Sequence, residues 1–152
     1  MELDATDRRI LTVLQKQGRI TNAELSDLVN LSPSACHRRV QRLEDEGFIA
    51  AYVALLDARR MGRPTTVFVE ITLQGQADEV LDAFERAVAR VPDVLECHLM
   101  AGTADYLLKI VAADTDDFAR IHRQYLTRLP GVAQMQTSFA LRTVVKTTAL
   151  AV

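Results

Sequence analysis

The chain lacks the residues that would place it among disulfide-stapled, membrane-spanning or strongly basic proteins. Its 152 residues include only two cysteines, Cys36 and Cys97. Both fall on predicted apolar faces in different units, so they read as buried thiols of a reducing compartment and not as a disulfide. No apolar run is long enough to cross a bilayer and no charged-then-apolar leader opens the chain, so a cytoplasmic protein with no membrane partner is expected. Excess positive charge is also missing: 18 Lys and Arg stand against 20 Asp and Glu, for a net charge of −2. Residues 1–62 hold nine of each sign and residues 63–152 hold nine basic against eleven acidic, so neither part is basic overall. Any affinity for nucleic acid must then come from local placement and from doubling by dimerisation. The chain has no glycine-rich phosphate loop and no low-complexity tract. His37, His98 and His122 are scattered over three predicted elements, and neither cysteine has a second ligand at metal spacing. No catalytic residue, metal site or cofactor is therefore expected.

What is present begins with TNAELSDLVNLSPSACHRRVQRLEDEG, residues 21–47. Thr21 and Glu24 form a capping box, in which the hydroxyl accepts from the backbone N–H three residues on and the carboxylate reaches back to the cap. Leu25, Leu28 and Val29 give that helix one buried face, and Asn30 offers a left-handed stop. Ser32 caps the next helix with Pro33 at its first position, Leu31 and Cys36 sit as a hydrophobic staple, and Gly47 follows the helix end. An earlier helix opens at Asp4, with Asp7 three residues on, and carries the stripe Ile10, Leu11, Leu14 as far as Gly18. Three helices thus share a small core. Residues 48–56 (FIAAYVALL) are expected as a strand or wing, and residues 57–64, with Arg59, Arg60 and Arg63, as a linker.

On the third helix, Cys36, Val40 and Leu43 fall on one side, while Ser34, His37, Arg38, Gln41 and Arg42 fall on the other. Arg and Gln carry the bidentate donors that read base edges, and serines at a helix start suit a phosphate. Glu44, Asp45 and Glu46 would repel a duplex, so contact should concentrate in the first turns. An arginine-rich helix face alone is equally a solvated face; the short helix and tight turn before it favour DNA. Arg39 leans toward the buried side and is expected to brace the helix.

Beyond the linker the periodicity changes twice. Residues 66–73 and 94–100 read as strands around a helix over 78–90, with Val80, Leu81, Phe84 and Val88 on one face. A turn at 101–105 leads to a strand over 106–111. A helix capped near Asp114 or Thr115 presents Phe118, Ile121 and Tyr125 and stops at Pro130 and Gly131, and residues 132–148 are expected as a last long strand. The order βαββαβ is the ferredoxin-like plan. The fold class is α+β: a winged helix-turn-helix over 1–56, a linker over 57–64 and a ferredoxin-like effector domain over 65–152. Val67, Val69, Leu99, Leu108 and Ile110 are too apolar for a sheet open on one face, so a second copy is expected to cover it.

The opening LDATDRRILTVLQKQGRITNAELSDLVNLSPSACHRRVQRLEDEGFI, the strand VFVEITL and the segment ECHLMAGTADYLLKI followed by RLPGV resemble the Lrp/AsnC, or feast/famine, family of transcription regulators, the leucine-responsive branch most. The resemblance covers nearly the whole chain. It implies a double-stranded DNA partner, homodimers assembling to octamers, and an amino-acid effector, leucine or another, held between effector domains. It places DNA contacts at Thr21, Asn22, Ser32, Ser34, His37, Arg38, Gln41 and Arg42. It places the effector at Gly102, Thr103, Ala104, Asp105 and Tyr106, with His98, Met100 and Thr137. Exposed turn N–H groups suit a carboxylate, and Asp105 suits an ammonium group. Ala104 stands where family members often carry an aromatic, which alters pocket size. The implied function is a sequence-specific DNA-binding regulator whose assembly and DNA affinity respond to an amino acid. Two other readings compete: an amino-acid sensor acting through protein partners, and an enzyme like the haem-pathway decarboxylases of the same two-domain plan, with His98 as its reactive group. The basic outward helix face argues against both.

Overall fold

The computed structural model describes residues 2–152, and its packing divides the chain into two units. One comprises the residues up to Leu55 together with Val145–Val152, and the other Leu56–Val144.

The first unit contains three helices, α1 (Ala5–Leu14), α2 (Asn22–Leu28) and α3 (Pro33–Asp45). Each starts where a side chain satisfies an orphan backbone donor. Asp4 and Asp7 form a reciprocal capping box, as do Thr21 and Glu24, and Ser32 accepts from the Ala35 N–H with Pro33 at the first position. Such caps are each worth about 1 kcal/mol. Asn30, at φ 55°, turns the chain between α2 and α3, and the Leu31 N–H closes back on the Ser26 carbonyl at 2.9 Å. Gly47, at φ 76°, ends α3 in the left-handed conformation that a glycine tolerates. Ile10, Leu11, Leu25, Val29, Cys36 and Leu43 form the core, with Leu31, Val40 and Ile49 packed against it.

Leu28 departs from the expectation: it is 58% exposed, while Leu25 and Val29 fill the core. The expected strand over 48–56 does not form either. Residues 50–56 form neither helix nor strand, since a strand needs a hydrogen-bonding partner and this segment has no ladder among the described residues. Tyr52 is tied locally, its hydroxyl donating to Glu44 Oε1 at 2.8 Å. Burial and that carboxylate push the phenol up to about 12.

The second unit runs β1 (Thr65–Leu73), α4 (Asp78–Val88), β2 (Val94–Leu99), β3 (Tyr106–Ala112), α5 (Thr115–Gln124), a short 3-10 turn and β4 (Val132–Phe139). The strands make one antiparallel sheet in the order β2-β3-β1-β4, the ferredoxin-like arrangement. Strand alternation points Val67, Val69, Ile71, Leu73, Leu108 and Ile110 toward one core, which Phe84 and Val88 of α4 and Phe118 and Ile121 of α5 complete.

That packing corrects the reasoning behind a covering partner. Val67, Val69, Leu108 and Ile110 are already fully buried within the chain, and Leu99, on the same side by register, is 61% exposed at the sheet edge. The opposite face is mixed: Phe68, Glu70 and Thr72 of β1 lie beside Leu107, Lys109 and Val111 of β3 and Glu96 and His98 of β2. The last strand is also shorter than expected. It ends at Phe139, where the ring packs edge-on against Phe118 at 5.4 Å, and the residues from Val145 onward belong to the first unit. There the Gln15 amide brackets Leu150, donating to its carbonyl at 3.0 Å and accepting its N–H at 2.5 Å.

Candidate DNA-binding and effector sites

The outward face of α3 is built by its inward one. Cys36 and Leu43 are buried and Val40 is half-buried, which leaves Ser34, His37, Arg38, Gln41 and Arg42 exposed along the opposite side. Burial raises the Cys36 thiol above its ordinary pKa, as suits a packing residue and not a nucleophile. Ser32 and Ser34 lie together at the helix start, their hydroxyl oxygens 3.3 Å apart.

Of the eight residues expected to touch DNA, five have partners within the unit: Ser32 and Ser34 at the start of α3, and three more. Thr21 holds the α2 cap, accepting from the Glu24 N–H at 3.2 Å and donating to its carboxylate at 2.9 Å. Asn22 donates to the Pro33 carbonyl at 2.9 Å and so locks α2 to the first turn of α3. Arg42 donates from Nη2 to Asp7 Oδ2 at 2.9 Å, with 44% of its side chain exposed.

Arg39 braces α3 as expected: its Nη1 donates to Asp7 Oδ1 and to Asp4 Oδ2, both at 2.7 Å. The Asp7 backbone N–H and the Arg39 guanidinium hold the Asp4 carboxyl down to about 2. Asp7 itself is 1% exposed. The sequence reading used it only as a cap, yet a signal was present. Asp7, Ile10, Leu11 and Leu14 have the i, i+3, i+4, i+7 spacing of one helix face, so an acid heads the buried stripe.

In the second unit the residues expected to hold an effector are only partly assembled. Gly102 and Thr103 are exposed and Ala104 is half-buried, in a turn between β2 and β3. Met100 and His98 are exposed beside it. The imidazole meets Glu96 at 3.1 Å, and that hydrogen bond, with the Lys109 charge, lowers the Glu96 pKa.

Asp105 is a strap. Its Oδ2 accepts the Leu73 backbone N–H at 2.7 Å, its Oδ1 accepts from Gln76 at 3.0 Å, and its own N–H donates to the Ile71 carbonyl. Tyr106 is buried: it is 1% exposed, its ring lies 4.5 Å from that of Phe84, and its hydroxyl donates to Glu85 at 2.6 Å. The first residue of β3 points to the helix side, which the turn pattern alone did not reveal. Burial, with the Glu85 carboxylate, raises its phenol above the ordinary range. Thr137 is also separated from the turn. It lies on β4, paired with Val69 of β1, at the opposite sheet edge from β2 and roughly 14 Å away at ordinary strand spacing.

Asp93, which the sequence reading passed over, is buried and pairs with Arg63, while Arg120 approaches it at 3.8 Å. The cluster fixes the end of the linker to α5. Among the described residues, no group of His, Cys, Asp and Glu could hold a metal ion, and no helix is long and apolar enough to cross a membrane.

A helix-turn-helix with a donor-rich second helix, joined to a ferredoxin-like unit, defines a two-domain DNA-binding regulator. Residues 3–50 match the model of the winged helix-turn-helix DNA-binding family, and residues 66–150 match that of the Lrp/AsnC ligand binding domain. The chain belongs to the Lrp/AsnC family of transcriptional regulators and is not an enzyme. It is 46% identical to the leucine-responsive regulatory protein of Escherichia coli (strain K12) over 136 residues, covering 90% of this chain and 83% of that protein. A transcriptional regulator of Neisseria meningitidis, solved as an L-Met complex, superposes with a TM-score of 0.94 at 38% identity, covering 99% of this chain and 97% of that one. An AsnC family regulator from Agrobacterium tumefaciens gives a TM-score of 0.94 at 33% identity, covering 98% and 97%.

Proposed function

We propose that this regulator reads double-stranded DNA in the major groove with the exposed face of α3, and that an amino acid bound to the second unit alters its assembly and DNA affinity. The observation that carries the DNA half is the alignment of Ser34, His37, Arg38 and Gln41 on one exposed face, held out by the buried Cys36 and Leu43. Arg38 supplies a bidentate fork, Gln41 a paired donor and acceptor, and the serines sit at a positively polarised helix start. With no net positive charge, one such unit binds weakly, so paired presentation by a homodimer, and by octamers built from it, supplies the affinity.

The amino-acid half is supported by the family's ligand-binding domain and by the L-Met complex of the Neisseria meningitidis relative. Gly102, Thr103 and Ala104 would meet the carboxylate, with Met100 and His98 beside them. Thr137 and His98 lie at opposite sheet edges, so a site that uses both draws them from two copies of the chain. The working compartment is the cytoplasm.

The test is a titration of a labelled duplex, selected by the protein from a random pool, at increasing salt. Affinity that falls steeply with salt, and a shallower slope in Arg38→Ala by about one phosphate contact, supports the reading. Failure to retain any duplex at low salt overturns it and leaves the sensor acting through protein partners.

A further inference from the structure

Asp7 is the one acid in the first unit that is both buried and bonded to two arginines of the DNA-facing helix among the described residues. It takes Arg39 on Oδ1 at 2.7 Å and Arg42 on Oδ2 at 2.9 Å, while being 1% exposed. Arg39 is consumed inward, since its Nη1 also reaches Asp4 at 2.7 Å and its side chain is 30% exposed. Arg42 is differently placed. Its Nη2 is bonded to Asp7, 44% of the side chain remains open, and it stands four residues after Arg38, on the same outward face. A guanidinium has five N–H donors in a rigid fork, so a nitrogen held by one oxyanion leaves others free for a second.

We propose that Asp7 is a positioning residue for DNA binding: it holds the Arg42 guanidinium at the edge of α3 so that its free N–H groups meet a backbone phosphate, bridging buried carboxylate and DNA. The bridge rests on the α3 reading above and adds to it a residue on α1 that touches no DNA itself. It also explains how Arg42 serves both roles. An unanchored arginine on a helix surface samples many rotamers and loses that freedom on contact, whereas Arg42 is held before the duplex arrives. Asp4, Asp7, Arg39 and Arg42 together carry no net charge, so the cluster contributes through the placement of one fork and not through the general field of the helix.

The prediction runs against simple electrostatics. Removing a negative charge near DNA should tighten binding. If Asp7 positions Arg42, Asp7→Asn instead weakens binding of the selected duplex about tenfold and makes its salt slope shallower by about one phosphate contact. Arg42→Ala has the same two effects, and Asp7→Asn added to Arg42→Ala changes neither further. Arg42→Lys, which keeps the charge and does not disturb the core, falls with Arg42→Ala because an ammonium lacks the planar fork. Unchanged or tighter binding by Asp7→Asn overturns the proposal. So does an Asp7→Asn effect of equal size with and without Arg42, which would mark a merely structural acid, or full activity in Arg42→Lys. Arg38→Ala separates this from the reading beneath it. Loss of binding there with no coupling between Asp7 and Arg42 removes only the bridge, and no loss there removes the α3 reading itself.

Discussion

Asp105 Oδ2 accepts the Leu73 backbone N–H at 2.7 Å, joining the turn before β3 to the last residue of β1. This carboxylate, expected to face an ammonium group, is spent on the sheet. Asp105→Ala strips the Leu73 N–H of its acceptor and should cost about 1–3 kcal/mol of stability in the second unit. Asp105→Asn keeps a carbonyl oxygen for that N–H and should cost less. Urea unfolding of the two variants checks the order.

Gly102 and Gly131 should separate a ligand-binding role from a folding one. Gly131 has φ 73°, and a Cβ there would meet Val80 Cγ1 at 3.0 Å, so Gly131→Ala should destabilise the unit by about 1–2 kcal/mol or more. At Gly102 a Cβ meets nothing within 4 Å and no positive φ is required. Gly102→Ala should leave the melting temperature unchanged, and if the turn holds the effector, it should diminish the shift that an amino acid produces.

Arg39→Ala removes the shortest bond to buried Asp7 together with the one to Asp4. The first unit should lose about 1–3 kcal/mol, less than for a fully buried pair because Arg39 is itself partly open to solvent. Denaturant unfolding followed by helical signal measures it.

Acid should weaken the same corner. The Asp4 carboxyl is lowered from 3.8 to about 2 in the folded chain, chiefly by the Asp7 backbone N–H and then by Arg39. A lowered folded pKa means that the contribution is present above the unfolded value and disappears as pH falls from about 4 toward 2. Melting temperature recorded across that interval should drop less steeply in Asp4→Asn than in the native chain.

The caps, the Asn30 hinge, the Gly47 stop and the order βαββαβ were legible because each depends on residues within a turn or two of one another. What local pattern does not reveal involves partners far along the chain. Residues 48–56 have strand composition but no ladder, residues 145–152 pack with the first unit through Gln15, and Arg42 meets an acid thirty-five positions away. Tyr106 is expected both at the head of a strand and beside the effector, and as the first residue of an alternating strand it turns into the core. Arg39 was placed correctly because its angular position on α3 alone sends it toward the buried side.

The central claim is linkage between the two units, and reciprocity tests it most directly. The duplex affinity is measured with and without each amino acid, beginning with L-Met and L-Leu, and the affinity for the effective amino acid is then measured with and without duplex. The account predicts one factor in both directions, since coupling between two binding equilibria is symmetric. An amino acid that binds the chain yet leaves duplex affinity unchanged would contradict it.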